Sequence, residues 1–457
     1  MQSRIRPPSH NRHMLEHGLL PRVPGREGRY NTTREGESLI SIIYFILATA
    51  MFFLQDTYFK VGGVDFSLKN PCAFAILFLA LLNFIATVRL NRIVLLARHT
   101  IVQTLPYLIP VLFSSIIWVA SGADSITIAN GIGMIIPQLL SVCVAVATLY
   151  LFGEKGIWYC LGSMCAANFL IILTVIAEGG LMPFLMEFRT LLLTFTAQSG
   201  PLMLKLEIND LTFAFGPFIL YLLLNRKEVS HSFLWMLVVA VLFLAGLKRI
   251  AIPAILLGFL AAFLLRLLPE KAARQTALCL ACGMMIVSFM YIVGIRYGLF
   301  QYLEAKLQIN TMGRVNMFTN LEPYYDINFT FMGRGIGFER YVDWQTGTVF
   351  QTPQRTIMQI HNDFLRMYLN MGFIGYWVWL WCFLIVRLRY WFRQGGKNAG
   401  CLFLSLCIYC FVLYATDNTI YYPYTMIACA LVPMSYHMDS LADKALEAHC
   451  AQWEDGS

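Results

Sequence analysis

Charged residues are scarce in this chain of 457 residues, where they make up 13% of the total. Soluble domains carry about 25% charged residues, so the composition excludes a water-soluble fold. In their place, 58% of the residues are hydrophobic, and the mean hydropathy is +0.62. Because a spanning helix needs about 20 mostly apolar residues, the sequence predicts an all-α polytopic membrane protein.

Motifs for metal binding are also missing. The sequence has no HExxH, no paired CxxC motifs and no DxD in its long polar segment, so we expect neither a metal nor another cofactor. Nearly all of the twelve cysteines fall within apolar stretches, which argues against a disulfide framework. Cys279 and Cys282 form a CxxC inside an apolar stretch, where we interpret them as packing residues.

An apolar core near the start, as in a cleaved signal peptide, is absent too. Residues 1–37 are basic and contain four prolines, and we expect them to form a cytoplasmic tail. The net charge of +8 fits basic cytoplasmic loops better than nucleic-acid binding, because no basic stretch carries interleaved aromatic residues. The sequence therefore predicts no nucleic-acid partner.

Apolar stretches predict about twelve transmembrane helices, nine within residues 38–295 and three within residues 361–437. The stretches are 38–55, 71–88, 101–120, 128–152, 157–177, 210–225, 232–247, 250–268, 276–295, 361–386, 400–416 and 420–437. An amphipathic region, 180–208, lies between the fifth and the sixth. Residues 438–457 are expected to form a second cytoplasmic tail.

The orientation follows from Lys and Arg, which accumulate in cytoplasmic loops. With the N-terminus inside, the alternate inner loops hold most of these residues and the short outer loops hold few. Both termini are then cytoplasmic, and residues 296–360 form one large extracytoplasmic loop. One helix miscounted before residue 296, for which region 180–208 is the main candidate, would reverse this assignment.

Ionisable residues that stay near the bilayer are the first candidates for function. Lys248 and Arg249 are adjacent cations between two apolar stretches, at an outer helix end. They are either anchors that reach the lipid headgroups or an anion site. Arg presents a planar fork that suits phosphate oxygens, and Lys adds a point charge.

The outer loop contains a glycine turn around Arg334, formed by Gly333, Gly335 and Gly337. Glycine permits a tight turn and a close approach of backbones, and a simple turn without further function is the alternative interpretation. Another cation of this loop, Arg314, follows Gly313.

A polar triplet, His361-Asn362-Asp363, marks the point where the loop re-enters the membrane. Histidine is the usual general base near neutral pH, although a histidine at a helix start also serves structural roles. Its position beside Asn and Asp, on the same side as the cations, favours a catalytic role for His361.

These motifs occur in a fixed order that resembles a known family. The order is Gly313-Arg314, Gly333-Arg334-Gly335-Ile336-Gly337, His361-Asn362-Asp363-Phe364-Leu365 and Gly372-Phe373-Ile374-Gly375. The set resembles the O-antigen polymerase and O-antigen ligase superfamily of bacterial envelope enzymes. The resemblance covers about residues 245–390, and the rest of the chain is similar only in hydropathy and helix count.

The resemblance implies a metal-independent, inverting glycosyltransferase of the bacterial cytoplasmic (inner) membrane. Its substrate would be a glycan linked to undecaprenyl pyrophosphate, used at the outer face. Membrane lipid and other proteins of polysaccharide assembly would be its partners.

The roles implied by the resemblance fall on individual residues. His361 would be catalytic, and Asn362 and Asp363 would support it. Many members have Ser-Arg where this chain has Lys-Arg, so either of the two cations would be the phosphate ligand. The residues expected to bind pyrophosphate or substrate are Lys248, Arg249, Arg314, Arg334 and Arg189.

Three functions stay open at this point. The first is a polymerase of lipid-linked repeat units, and the second is a ligase that transfers the glycan to another acceptor. The third is a transporter or flippase of lipid-linked sugars. A transporter would line a path through the membrane with charges, whereas the charges found here cluster at one face, which favours an enzyme.

Overall fold

The computed structural model describes most of the chain. The described residues are 30–55, 57–61, 64–87, 90–194, 200–207, 210–225, 231–246, 248–307, 314–339, 342, 350–352, 355–357 and 360–438. Gly313 and most of the two predicted tails lie outside them. The chain divides into two units, residues 1–44 and 45–457. The described part of the first unit belongs to helix α1 (Tyr30–Phe53).

Helices account for most of the described residues. They are Lys69–Ala86 (α2), Leu90–Ser121 (α3), Ser125–Phe152 (α4), Gly156–Gly179 (α5), Leu181–Thr194 (α6), Pro201–Glu207 (α7), Leu211–Leu224 (α8), Ser232–Ala245 (α9), Ala251–Leu267 (α10), Glu270–Arg296 (α11), Leu299–Leu307 (α12), Arg314–Leu321 (α13), Asp363–Leu380 (α14), Arg387–Thr416 (α15) and 423–438 (α16).

Short elements complete the described structure. One antiparallel hairpin pairs Tyr58–Val61 (β1) with Val64–Ser67 (β2), and a second pairs Phe350–Thr352 (β3) with Arg355–Ile357 (β4). A π-helical turn, Trp381–Val386, connects α14 to α15. Single 3-10 turns are Gly153–Lys155, Glu322–Tyr324 and Thr419–Tyr421.

The helices have the lengths and composition of an all-α membrane protein. Within the described residues, five helical stretches are long and apolar enough to cross a membrane: Lys69–Ala86, Arg92–Ser121, Thr127–Gly179, Glu270–Arg296 and Asp363–Thr416. Shorter apolar helices are Leu39–Phe53, Leu211–Leu224, Ser232–Ala245 and Ala251–Leu267. The third and fifth long stretches each contain two of the helices named above.

The amphipathic region 180–208 forms α6 and α7, which have 14 and 7 residues. Both are shorter than the roughly 20 residues that a spanning helix needs. Phe184 of α6 and Met203 of α7 belong to one apolar cluster on α5. The Glu187 carboxylate accepts hydrogen bonds from the backbone N–H groups of Leu202 and Met203 at the start of α7. Apolar packing and this acidic cap therefore hold the two helices against α5.

The predicted inner connection, residues 387–399 between the tenth and eleventh apolar stretches, is largely helical in the structure. The π-helical turn continues directly into α15, and the helical geometry is broken only at Gly396, where φ is 69° and ψ is −161°. Arg387, expected in a cytoplasmic loop, is buried in the helix. Its guanidinium lies over the rings of Phe383 and Phe403, which stabilise the cation inside an apolar surrounding.

Among the five long apolar stretches, the one that contains α14 and α15 is the most buried. α15 packs along α10 and against α11, while α14 packs against α3. Ile420, just after α15, donates its backbone N–H to Asp363 at the start of α14 at 2.8 Å. The residues that precede α14 therefore lie beside those that follow α15, and the polar site forms where they meet.

Candidate functional site

A histidine and an aspartate meet where α14 begins and α15 ends. The Nδ1 atom of His361 lies 3.3 Å from Oδ1 of Asp417. The same oxygen accepts hydrogen bonds from the Tyr422 hydroxyl and the Asn418 backbone N–H, both at 2.9 Å. The side chain of His361 is 38% exposed and that of Asp417 is 12% exposed. The Asp417 carboxylate is thus fixed by three hydrogen-bond partners, while the His361 imidazole reaches the surface.

Asp417 is anionic at neutral pH. Burial alone would raise its pKa, but the hydrogen bond with His361 and the positive charge of Lys248 hold the pKa well below its usual range. An anionic partner favours the tautomer of His361 with the proton on Nδ1. The lone pair is then on Nε2, which is able to accept a proton from a substrate hydroxyl.

Tyr422 stays protonated beside this carboxylate. The hydroxyl also lies 2.7 Å from Oδ1 of Asn418. Tyr422 therefore acts as a fixed hydrogen-bond donor that supports the dyad of His361 and Asp417.

Lys248 approaches the dyad from the turn between α9 and α10. Its Nζ atom lies 5.0 Å from the centre of the Phe213 ring, a favourable cation–π distance. The Phe213 ring stacks on Tyr422 with 5.9 Å between the ring centres. The charge of Lys248 also stabilises the Asp417 carboxylate. Arg249, the next residue, is half-buried at the start of α10.

A buried charge cluster lies behind the dyad. The guanidinium of Arg366 lies 3.2 Å from the Asp363 carboxylate and 3.5 Å from that of Glu339, and all three side chains are almost fully buried. Arg366 also stacks over the ring of Tyr421 at 4.7 Å. Since Asp363 additionally binds the Ile420 backbone, the cluster ties three segments of the chain together.

The two residues expected to support His361 both have structural partners. The Asn362 side chain accepts a hydrogen bond from the Leu365 backbone N–H at 3.0 Å and caps the first turn of α14. Asp363 belongs to the buried charge cluster. Both residues fix the backbone that carries His361. Among the described residues, no hydrogen bond joins either side chain to the His361 ring.

The glycine turn of residues 333–337 is packed into the helical core. Gly333, Gly335 and Gly337 have φ angles of 92°, 82° and 96°, a region that favours glycine. A Cβ atom on Gly333 would lie 2.5 Å from the amide nitrogen of Gly372 in α14. The chain therefore needs glycine at position 333 for both its conformation and its close approach.

The loop completes a break in α14. Gly372 has φ 70° and ψ −170°, which interrupts the helical hydrogen bonds. The backbone N–H of Arg334 donates to the carbonyl of Leu369 at 2.8 Å, and the N–H of Phe373 donates to the carbonyl of Phe331 at 2.8 Å. Backbone groups that the break would leave unpaired in an apolar region are satisfied by the loop.

Two of the expected loop cations have different surroundings. Arg334 is exposed, and its Nε donates to the carbonyl of Tyr324 at 3.0 Å. Arg314 begins α13 and interacts electrostatically with Tyr291. The Tyr291 hydroxyl donates to the carbonyl of Ala415 at 2.8 Å. Arg314 is thus linked to the end of α15, close in sequence to Asp417.

Arg189 stands apart from these residues. It is exposed on α6, which packs against α5 and α7. No contact in the described part of the chain joins it to His361 or Asp417. The structure thus places His361 and Lys248 so that both act on Asp417, gives Arg314 an electrostatic interaction with Tyr291, and leaves Arg189 outside this group.

Sequence reasoning missed several residues of the site: Asp417, Tyr422, Arg366 and Glu339. The sequence did contain a signal for Asp417. A carboxylate between two apolar stretches costs free energy and usually has a function or a charged partner. Arg366 follows Asp363 by three residues, the spacing at which opposite charges meet on a helix. Glu339 carried no such signal, since its partner comes from a distant segment.

The fold and the site together define a polytopic helical membrane protein with a polar site where two buried helices meet. Among the described residues, no group of three or more His, Cys, Asp or Glu side chains is placed to hold a metal ion. Comparison with family models and with curated proteins found no match for this chain. The function is therefore inferred from the geometry of the site.

Proposed function

We propose that this protein is a polysaccharide polymerase of the bacterial inner membrane. It joins oligosaccharide repeat units that are linked to undecaprenyl pyrophosphate, at the outer face of the membrane. The protein of this proposal crosses the membrane with twelve helices, has both termini in the cytoplasm and exposes residues 296–360 on the outer side. The observation that carries it is the dyad of His361 and Asp417 with Lys248 beside it.

The dyad supplies a general base. Nε2 of His361 takes the proton of an acceptor sugar hydroxyl as the hydroxyl oxygen attacks the anomeric carbon of the donor. The bond between that carbon and the pyrophosphate oxygen breaks, and its electron pair leaves with undecaprenyl pyrophosphate. Asp417 stabilises the imidazolium that forms, as an anionic partner of a catalytic histidine does. A single displacement inverts the anomeric centre.

Cations near the dyad stabilise the leaving group. Negative charge develops on the pyrophosphate as the glycosidic bond breaks, and a fixed cation in a partly buried site stabilises it better than water does. Lys248 is the cation that acts on the dyad, and Arg314 is linked to the same helix end. Arg249 and Arg334 are proposed to contact the donor further out, with Arg189 the most distant candidate.

The test is turnover of a lipid-linked repeat unit by purified variants. We expect His361→Ala to lower the rate by about 10²–10⁴-fold, the usual contribution of a general base. His231→Asn is the matched control, because His231 is exposed with φ 55°, a conformation that Asn tolerates. A His361→Ala protein that folds and retains full activity excludes this mechanism.

The binding role of Lys248 has its own test. Lys248→Gln should weaken binding of a lipid pyrophosphate analogue, while Lys205→Gln should leave it unchanged. Lys205 is a suitable control because it is half-exposed on α7 and paired with Glu178. Equal affinities for the Lys248 variant and the wild type would rule out a pyrophosphate site at this position.

The acceptor decides between polymerase and ligase. Incubation of the purified protein with lipid-linked repeat units alone should give a ladder of lengthening products. Reaction only after a different acceptor is added would identify a ligase instead.

A second candidate function, transport of lipid-linked sugars, is favoured by one observation. Arg366 and Arg387 are buried charges within an apolar helical stretch, and α14 is broken at Gly372. Broken helices and intramembrane charges are typical of transporters. Two assays distinguish transport from catalysis. Movement of a labelled lipid-linked sugar across a liposome membrane, together with no glycosidic bond formation by the detergent-solubilised protein, would support the transporter.

A further inference from the structure

A small cavity lies between α15 and α16, and its lining reaches Thr419 in the turn that carries Asp417. It has a volume of about 20 Å³, and its lining includes Arg387, Cys407, Cys410, Cys429 and Thr425. Cys407 and Cys410 lie on α15, while Cys429 and Thr425 lie on α16. The cavity therefore gathers three thiols and one guanidinium from two adjacent helices.

Two of these thiols are in contact. The Sγ atoms of Cys410 and Cys429 are 3.5 Å apart. Bond formation needs the two sulfurs to close from this distance to about 2.05 Å. Cys410 is buried and Cys429 is half-buried, and both line the cavity.

Arg387 gives the thiols an unusual environment. Its guanidinium donates a hydrogen bond to the Gln103 side chain and lies over two aromatic rings. None of the ion pairs in the described part of the chain includes Arg387. A cation next to a cysteine favours the thiolate, which is the reactive form. Arg387 is thus a buried cation in the same cavity, placed to stabilise a thiolate that forms on the cysteine pair during oxidation.

We propose that Cys410 and Cys429 form a redox-active dithiol that a lipid-soluble two-electron oxidant of the quinone class converts into a disulfide. The thiol protons of both residues are lost and one S–S bond forms. The two electrons and two protons pass to the quinone, which becomes the hydroquinone. The bond joins α15 to α16 on either side of the turn that carries Asp417.

The test uses the full-length protein in its membrane, treated with a short-chain quinone. Remaining thiols are then blocked with a maleimide under denaturing conditions, and the peptides are identified by mass spectrometry. We expect a linked peptide pair that contains Cys410 and Cys429 and lacks two hydrogen atoms, with neither cysteine blocked. Complete maleimide labelling of both cysteines after oxidation would overturn the proposal.

Matched variants locate the bond. Cys407→Ser should still give the linked pair, because Cys407 lines the same cavity without belonging to the proposed pair. Cys410→Ser and Cys429→Ser should each abolish it. A bond that survives in either of these two variants, or that links Cys407 to Cys429 in the wild type, would contradict the assignment.

The role of Arg387 is tested by the rate of bond formation. Arg387→Gln removes the charge, and we expect the disulfide to form several-fold more slowly in folded protein recovered by size exclusion. An unchanged rate would show that the cation does not activate the thiols.

Discussion

Two buried arginines of this protein have opposite surroundings. Arg366 is paired with the carboxylates of Asp363 and Glu339. Arg387 is bound to the Gln103 amide and to aromatic rings, in a cavity that also contains thiols. The first arginine belongs to the end of the core where the dyad lies. Arg387 lies further along the same helical stretch, at the start of α15.

The two arginines contribute to the fold in different ways. A buried ion pair costs desolvation, and its removal is harmful mainly because it leaves the opposite charge alone. Arg366 has two such partners, so the start of α14 depends on it. Arg387 has no carboxylate partner among the described residues, which leaves its charge to act on the thiols.

The largest effect should come from Arg366→Met. The variant leaves two buried carboxylates without a cation, and we expect a loss of about 3–5 kcal/mol in the free energy of unfolding. The measurement is denaturant unfolding of the detergent-solubilised protein. The triple variant with Asp363→Asn and Glu339→Gln should recover most of this loss. Equal destabilisation of the single and triple variants would show that charge pairing is not the cause.

The substitution Asp417→Asn, at the same end of the core, should lower turnover without unfolding the protein. Asparagine keeps the size of the side chain but cannot stabilise an imidazolium. On the proposed function, turnover should fall by about 10²-fold or more while the protein stays folded. Asp326→Asn is the control, because Asp326 is exposed and paired with Arg296. Comparable losses in both variants would remove the special role of Asp417.

Arg387→Met should have a smaller effect than Arg366→Met. The substitution leaves the buried Gln103 amide without its hydrogen-bond donor, a cost of about 1–3 kcal/mol. Adding Gln103→Leu should restore stability, since both polar groups are then gone. If Arg387→Met destabilises the protein as much as Arg366→Met does, the contrast between the two arginines is wrong.

The sequence predicted the helical membrane fold because apolar stretches of sufficient length are a local signal. It also singled out His361 and Lys248, since ionisable residues next to such stretches stand out. It did not predict the pairing of His361 with Asp417, because these residues are 56 positions apart and meet only through packing. Arg387 was misplaced in a loop for a similar reason: its aromatic and amide partners come from other turns and helices.

The smallest effect concerns the pH dependence of stability. The pKa of Asp417 is depressed in the folded protein, so the stability that it contributes is present above its ordinary value and is lost as the pH falls through the folded value. The difference in unfolding free energy between wild type and Asp417→Asn should therefore be present at about pH 5 and shrink below about pH 4. Carboxylates that do not contact residue 417 titrate equally in both proteins, so the loss below about pH 4 reports on this residue. A difference that already shrinks near neutral pH would mean that the interactions with His361 and Lys248 do not hold Asp417 in its charged form.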